Sequence, residues 1–138
     1  MVTKTLIIMR GLPGSGKSTK AEKLQPDKHL RPSADDFFVG SDGVYRYTPA
    51  KIGNAHKYCQ AKAETLMKIG QTPVVIDNTN IKKKDFQIYL DFAAKYGYDV
   101  KYETSDAPWA WDVDTCAVKN THGVPKDVIQ RMKDNFQK

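Results

Sequence analysis

Short apolar runs alternate with longer stretches of helical periodicity along this chain. The runs at 5–9 (Thr-Leu-Ile-Ile-Met) and 73–76 (Pro-Val-Val-Ile) are rich in β-branched residues, as in strands buried on both faces. A weaker run at 29–33 and an alternating one at 98–103 predict two further strands. Because strands alternate with helices, we expect an α/β three-layer sandwich with a central parallel sheet of about four strands.

Five helices are predicted from apolar positions spaced three to four residues apart. They are expected at about 20–24, 48–70, 83–96 and 105–120, and from 125 onward. Thr48-Pro49 supplies a cap and a first-turn proline, while Gly70 and Gly97 are typical stop signals. The helix breaker Thr121-His122-Gly123 predicts a short lid around 119–125.

The composition indicates one globular domain spanning residues 1–138, with 40% hydrophobic and 28% charged residues. No apolar run approaches the roughly 20 residues that span a bilayer, and residues 1–4 lack a signal-peptide pattern. Cys59 and Cys116 do not form a paired-cysteine framework. We therefore expect a cytoplasmic protein without a membrane or obligate protein partner. The net charge of +6 favours nucleic acid and an ordinary basic protein about equally.

Residues 11–19, Gly-Leu-Pro-Gly-Ser-Gly-Lys-Ser-Thr, match the phosphate-loop pattern G-x-x-x-x-G-K-[ST]. The loop lies between a predicted strand and a predicted helix, as the motif requires. Its glycines let backbone N–H groups surround a phosphate, and the helix dipole adds positive potential. We predict binding of ATP and Mg²⁺, with Lys17 on the terminal phosphates and Ser18 as a metal ligand. The predicted ATP-binding residues in the loop are Pro13, Gly14, Ser15, Gly16, Lys17, Ser18 and Thr19.

Carboxylates follow two of the predicted strands. Asp35 and Asp36 lie where a base for an acceptor hydroxyl would be expected, although a turn or helix cap would also explain them. Asp77 ends the strand at 73–76, which is the position of a Walker B carboxylate that holds Mg²⁺. A turn aspartate bonded to its own loop is an equal alternative for Asp77.

Basic residues near the predicted site have two explanations as well. The lysines at 82–84 oppose a helix dipole, so they either contact phosphates or form a solvated helix end. Lys119 suits the end of its helix and borders the predicted lid. His56, Trp109 and Trp111 are expected to have packing roles, and no cluster has zinc-ligand spacing.

In this order the motifs resemble the P-loop 5′-hydroxyl polynucleotide kinase family, which includes the kinase half of phage polynucleotide kinase/phosphatase. The resemblance covers the phosphate loop, the Asp35-Asp36 pair and motifs at 77–80, 92–97, 106–109, 119–120 and 124–128. It implies an adenylate-kinase-like P-loop fold and transfer of the γ-phosphate of ATP to a 5′-hydroxyl end of DNA or RNA, in a host cytoplasm if the gene belongs to a phage. It also implies that Asp35 is the general base, aided by Lys17 and Lys119, and that Lys119 contacts ATP.

We expect the acceptor to be bound by Asp36, Asn78, Thr79, Asn80, Lys82 and Lys83. Two positions depart from the family pattern. Lys119 replaces a lid arginine and so loses its bidentate fork, and Phe38 replaces an arginine that grips a substrate phosphate. Arg31, Arg46 or the lysines at 82–84 are candidates to replace that grip.

Asp-Asn-Thr-Asn at 77–80 and His-Gly-Val at 122–124 are also similar to a wider group of small P-loop kinase-like domains. A kinase for a small-molecule hydroxyl and a nucleotide-binding ATPase or switch module therefore remain as alternatives.

Overall fold

A three-stranded parallel sheet forms the centre of the structure, a computed structural model that describes residues 3–138. Strand β1 (Thr5–Met9) lies between β2 (Val74–Asp77) and β3 (Asp99–Glu103). Met9, the last residue of β1, is level with Asp77 on one side and Glu103 on the other. The carboxyl ends of all three strands therefore meet at one edge of the sheet.

Five α-helices surround this sheet in the described part of the chain. They are α1 (Lys17–Leu24), α2 (Ile52–Lys68), α3 (Lys83–Tyr96), α4 (Val113–Lys119) and α5 (Lys126–Asp134). Short 3-10 helices cover Lys28–Leu30, Ala34–Phe38 and Pro49–Lys51. Gly97 ends α3 in the left-handed conformation, with φ of 76°, as the sequence predicts. Within residues 3–138 no helix is both long enough and apolar enough to cross a bilayer.

Alternate residues of β1 pack into opposite layers. Leu6 and Ile8 belong to the buried cluster shared with α2 and α3, whereas Ile7 and Met9 pack with Ala21 of α1. A third buried cluster joins α4 and α5 to the loop after β1 through Leu12, Ile81, Val113, Cys116 and Ile129. Helices cover both faces, so the predicted α/β sandwich is confirmed, with three strands instead of about four.

The predicted strand at 29–33 is wrong. Lys28–Leu30 forms a 3-10 helix, and the segment after it joins the sheet through one backbone bond, from the Asp77 N–H to the Pro32 carbonyl at 2.9 Å. Proline has no N–H with which to extend a ladder. The segment nevertheless runs beside the end of β2, so Asp35 still reaches the edge of the sheet.

The predicted helix at 105–120 is too long, because its first half folds as turns. Ala110 N–H bonds to Ala107 O at 3.1 Å, and Asp112 N–H bonds to Trp109 O at 2.9 Å, before α4 begins at Val113. The last helix is also shorter than expected. It ends at Asp134, so Phe136 lies beyond it.

Buried polar contacts hold the turn between β2 and α3. Asn80 is 3% exposed, has a φ of 47°, and donates its side-chain amide to Met9 O at 2.7 Å. Positive φ is uncommon outside glycine. Arg10, which is also buried, donates Nε to Asn80 O at 2.8 Å and Nη2 to Ile81 O at 2.9 Å. The turn is thereby tied to the carboxyl end of β1.

We expect Asn80→Ala to lower the free energy of unfolding by about 1–3 kcal/mol, since the Met9 carbonyl loses its buried partner and alanine is strained at this φ. Denaturant unfolding followed by circular dichroism measures the change. Asn54→Ala on the exposed side of α2 is the control, expected within about 0.5 kcal/mol of wild type. Equal losses in both variants would contradict this role for Asn80.

Candidate active site

A cavity of about 770 Å³ opens at the carboxyl edge of the sheet. Of the residues predicted from the sequence, it is lined by Pro13, Gly14, Ser15, Gly16, Lys17, Ser18, Thr19, Asp35, Asn78, Thr79 and Lys119. The remaining predicted residues, which do not line it, are Asp36, Asp77, Asn80, Lys82 and Lys83. The structure therefore brings the phosphate loop, the predicted base and the predicted lid lysine to one space.

The phosphate loop needs glycine where it touches its neighbours. Gly14 and Gly16 have φ values of 77° and 90°, in the left-handed region that other residues avoid. A Cβ at Gly14 would also lie 2.1 Å from the carbonyl oxygen of Cys116 in α4. On the same residue, Gly14 O accepts a hydrogen bond from Trp109 Nε1 at 3.2 Å. Helix α4 and the turn before it thus hold the loop in place.

The residues at the end of β2 suit a magnesium ion. Ser18 Oγ donates to Asp77 Oδ2 at 2.9 Å, so the predicted metal ligands are already adjacent. Asp77 Oδ1 is buried without a hydrogen-bond partner in the described part of the chain, as is Ser15 Oγ. A hydroxyl and a carboxylate are hard oxygen donors of the kind that Mg²⁺ prefers.

No cluster of three or more His, Cys, Asp or Glu side chains within residues 3–138 could hold a metal by itself. Magnesium in nucleotide sites is usually held by one or two protein groups, with phosphate and water completing its shell. The Ser18–Asp77 pair fits that mode of binding, and Asp77 makes no side-chain bond to its own loop in the described residues.

Asp35 and Asp36 occupy different environments within the 3-10 helix Ala34–Phe38. Ser33 caps this helix by accepting the Asp35 N–H at 3.3 Å, so neither aspartate is the cap. The Asp35 side chain is 46% exposed and lines the cavity. Burial raises the pKa of the Asp36 carboxyl, while Lys28 and Lys62 lower it less. Only Asp35 of the two faces the space where an acceptor would bind.

Asn78 anchors the segment that carries Asp35. Its Oδ1 accepts the Ala34 N–H at 2.9 Å, and its Nδ2 lies 3.5 Å from Cys59 Sγ. The lysines predicted to bind acceptor start α3 instead. The Lys82 N–H bonds to Asp85 in the first turn at 3.0 Å, and the Lys83 N–H bonds to Gln137 at 2.7 Å. Their contact with an acceptor stays a prediction.

Segment 119–125, the predicted lid, lines the cavity along its whole length. Lys119 Nζ lies over the Trp109 ring, 4.4 Å from its centre. Asn120 closes the segment into a loop, because its side chain donates to Ala117 O at 2.8 Å and accepts the Val124 N–H at 2.8 Å. The segment therefore has a defined geometry beside the phosphate loop, and its movement stays a prediction.

Three cavity residues have roles that the sequence did not indicate. Tyr45 Oη lies 3.5 Å from Asp35 Oδ1, and His122 Nδ1 lies 3.3 Å from Asp35 Oδ2. The Tyr45 and His122 rings are stacked, with centres 4.4 Å apart. Trp109, expected to pack, instead lines the cavity and bonds to Gly14. The available signal was the pair of tyrosines in a loop otherwise rich in glycine and charge.

Comparison with known proteins identifies the family. A family model described as an AAA domain (AAA_33) matches residues 6–138. The chain belongs to this AAA domain family. It is 35% identical over 135 residues to NEDD4-binding protein 2 of Homo sapiens, an alignment covering 96% of this chain and 8% of the relative. It is 28% identical over 138 residues to 2′,3′-cyclic-nucleotide 3′-phosphodiesterase of Mus musculus, covering 98% of this chain and 32% of the relative.

A solved structure shares the fold over nearly the whole chain. A chain of the Pnkp1/Rnl/Hen1 RNA repair complex superposes with a TM-score of 0.72 and 26% sequence identity, covering 99% of this AAA domain and 45% of that chain. The predicted P-loop kinase-like fold is thereby confirmed. This chain spans less than half the length of each of these relatives.

The raised pKa of Asp36 predicts a pH-dependent difference in stability between wild type and Asp36→Asn. Because burial makes ionisation of this carboxyl less favourable in the folded state, the free energy of unfolding falls as pH rises through its pKa. Asp36→Asn removes that loss, so we expect a melting temperature higher than wild type by roughly 1–3 °C at pH 7. The difference should shrink below the ordinary aspartate pKa of about 3.9.

Thermal unfolding at pH 7 and pH 3 tests this expectation, with the exposed Asp99→Asn as the control. A variant less stable than wild type at pH 7 would show that the Asp36 charge is favourable where it lies.

Proposed function

We propose that this domain is a kinase that transfers the γ-phosphate of ATP to a 5′-hydroxyl end of DNA or RNA. One observation carries the proposal: Lys17, Ser18 and Asp35 line a single cavity, and Ser18 Oγ donates to Asp77 Oδ2 directly behind it. Phosphoryl transfer requires mainly positioning and charge neutralisation, which this arrangement supplies. The likeness to a chain of an RNA repair complex and to a cyclic-nucleotide phosphodiesterase supports a nucleic-acid end as acceptor.

The phosphate loop binds ATP, the phosphate donor. Backbone N–H groups of the loop bind the phosphates of ATP, and Lys17 contacts the terminal ones. Lys119, which also lines the cavity, adds positive charge. Mg²⁺ would be held by Ser18 and Asp77, and when bound it neutralises charge on the phosphate oxygens.

Asp35 acts on the acceptor hydroxyl as the general base. As the acceptor oxygen bonds to the γ-phosphorus, the bond from phosphorus to the leaving ADP breaks, and the hydroxyl proton passes to the Asp35 carboxylate. Asn78 and Thr79 line the cavity and are the predicted acceptor contacts nearest to this reaction. The net charge of +6 suits a polyanionic acceptor.

A panel of acceptors with labelled ATP tests the proposal against its alternatives. The panel contains 5′-hydroxyl RNA, 5′-hydroxyl DNA, nucleosides and sugars, each with and without Mg²⁺. We expect label on the polynucleotides and on neither small-molecule class. Label on nucleosides or sugars alone would indicate a small-molecule kinase, and phosphate release without any labelled acceptor would indicate an ATPase or switch module.

We expect Lys17→Ala to abolish phosphoryl transfer while the melting temperature stays within about 2 °C of wild type, because Lys17 is partly exposed and serves the phosphates. A labelled-phosphate assay and thermal unfolding measure the two effects. Lys23→Ala, on the exposed side of α1, is the control and should keep full activity. Wild-type protein that shows no heat of ATP binding in calorimetry would exclude the donor site.

We expect Asp35→Asn to reduce kcat by about 10²–10⁴-fold with little change in ATP affinity, since it keeps the shape of the side chain and loses the proton acceptor. Asp36→Asn is the matched neighbour and should change kcat far less, because it does not line the cavity. If Asp36→Asn were the crippling change, the base would be Asp36. If neither mattered, the nucleotide-switch alternative would be favoured.

A further inference from the structure

We infer, on the basis of the proposed kinase function, that His122 is a positioning residue for Asp35. In this arrangement the imidazole Nδ1–H donates to Asp35 Oδ2 and fixes the carboxylate for the acceptor hydroxyl. His122 lies in the predicted lid at 119–125, whereas Asp35 belongs to the 3-10 helix Ala34–Phe38, and both residues line the cavity. The base would then be aligned only while the lid covers the cavity.

Each oxygen of the Asp35 carboxylate has a polar neighbour. His122 Nδ1 is 3.3 Å from Oδ2, and the Tyr45 hydroxyl is 3.5 Å from Oδ1. These two donors come from different segments of the chain. A carboxylate held on both sides loses rotation about its last bond, and catalytic groups act best when their own rotamers are fixed in this way.

The orientation of His122 comes from its stacking on Tyr45. The ring centres lie 4.4 Å apart with 35° between the planes. Burial, with smaller contributions from Asp35 and Tyr47, raises the pKa of Tyr45 to about 12. The phenol is protonated at neutral pH, as an ordinary tyrosine is, and can donate its hydrogen bond to Asp35.

Phe38 supports this stack from below. It is 6% exposed, and its ring lies 6.0 Å from that of Tyr45 and 5.1 Å from that of Tyr47 in edge-on contacts. This is the position where the resembling kinases carry an arginine. Here a buried phenylalanine instead fixes the tyrosine loop that faces the lid, so the departure at Phe38 and the contact at His122 belong to one arrangement.

The predicted lid therefore lies near both the proposed ATP site and the proposed base. Lys119 borders the phosphate loop side of the cavity through Trp109, and His122, three residues later, contacts Asp35. In the proposed reaction His122 keeps its own proton and its hydrogen bond to Asp35, because the acceptor hydroxyl proton passes to Asp35.

Two variants of the whole chain separate hydrogen bonding from packing. His122→Phe keeps a ring on Tyr45 and removes the donor, while His122→Asn removes the ring and keeps an N–H donor near the Nδ1 position. We expect His122→Phe to lower kcat about 10- to 100-fold with the KM for ATP within about twofold of wild type. We expect His122→Asn to recover activity to within about fivefold of wild type. Equal losses in the two variants would overturn the inference.

A double-mutant cycle with Asp35→Asn supplies the second readout. If His122 acts through Asp35, His122→Phe should cause no further loss of kcat in that background, whereas independent losses that multiply would overturn the inference. Thermal unfolding of each variant shows whether it is folded. Wild-type protein that phosphorylates no acceptor would sink the proposed kinase function, while active wild type with a fully active His122→Phe would sink the role of His122 alone.

Discussion

The parallel pairing of β1 with β2 is the constraint on which the site depends. Its register places Met9 level with Asp77, so the loop leaving β1 and the carboxylate ending β2 must meet at the same edge. The Ser18–Asp77 contact at 2.9 Å follows directly from that register. The Asp35 segment is attached to the same strand end, through Pro32 O and the side chain of Asn78. A shift of one residue between the two strands would move Asp77 and the attached Asp35 segment away from the phosphate loop.

Elements with strong local signals could be predicted from the sequence, and elements shaped by distant contacts could not. The strands β1 and β2 and the helix α3 follow from apolar runs, periodicity and a terminal glycine. The strand predicted at 29–33 is not formed, because Pro32 has no backbone N–H to donate to a neighbouring strand. The turns at 107–111 fold against remote partners, since Trp109 bonds to Gly14 and Trp111 packs edge-on against Phe136 at 4.8 Å. Gly14 and Phe136 lie outside residues 105–120, so the local sequence does not indicate these contacts.

The candidate site divides in the same way. The phosphate loop, Asp35 and Lys119 could be located because each sits in a recognisable motif and order, and the structure brings them to one cavity. Tyr45 lies in a loop with a second tyrosine and His122 lies in a helix breaker, but neither pattern indicates contact with Asp35. Their contacts with Asp35 join residues 10 and 87 positions apart, so they depend on the tertiary structure. The sequence also predicts that Asn80 binds the acceptor, whereas its side chain donates a hydrogen bond to the backbone of β1 at Met9 O.

The Asp-Asn-Thr-Asn stretch therefore combines two kinds of information. Its aspartate accepts a hydrogen bond from Ser18 in the proposed metal-binding pair, whereas its two asparagines hold backbone segments together through Ala34 and Met9. As a diagnostic signature for finding related proteins, the stretch would recognise a shared scaffold whether or not a member has the proposed phosphotransferase activity. An aspartate at position 35 together with a hydrogen-bond donor at position 122 would be the better marker for the proposed activity, because these two side chains meet in the cavity and not in the sheet.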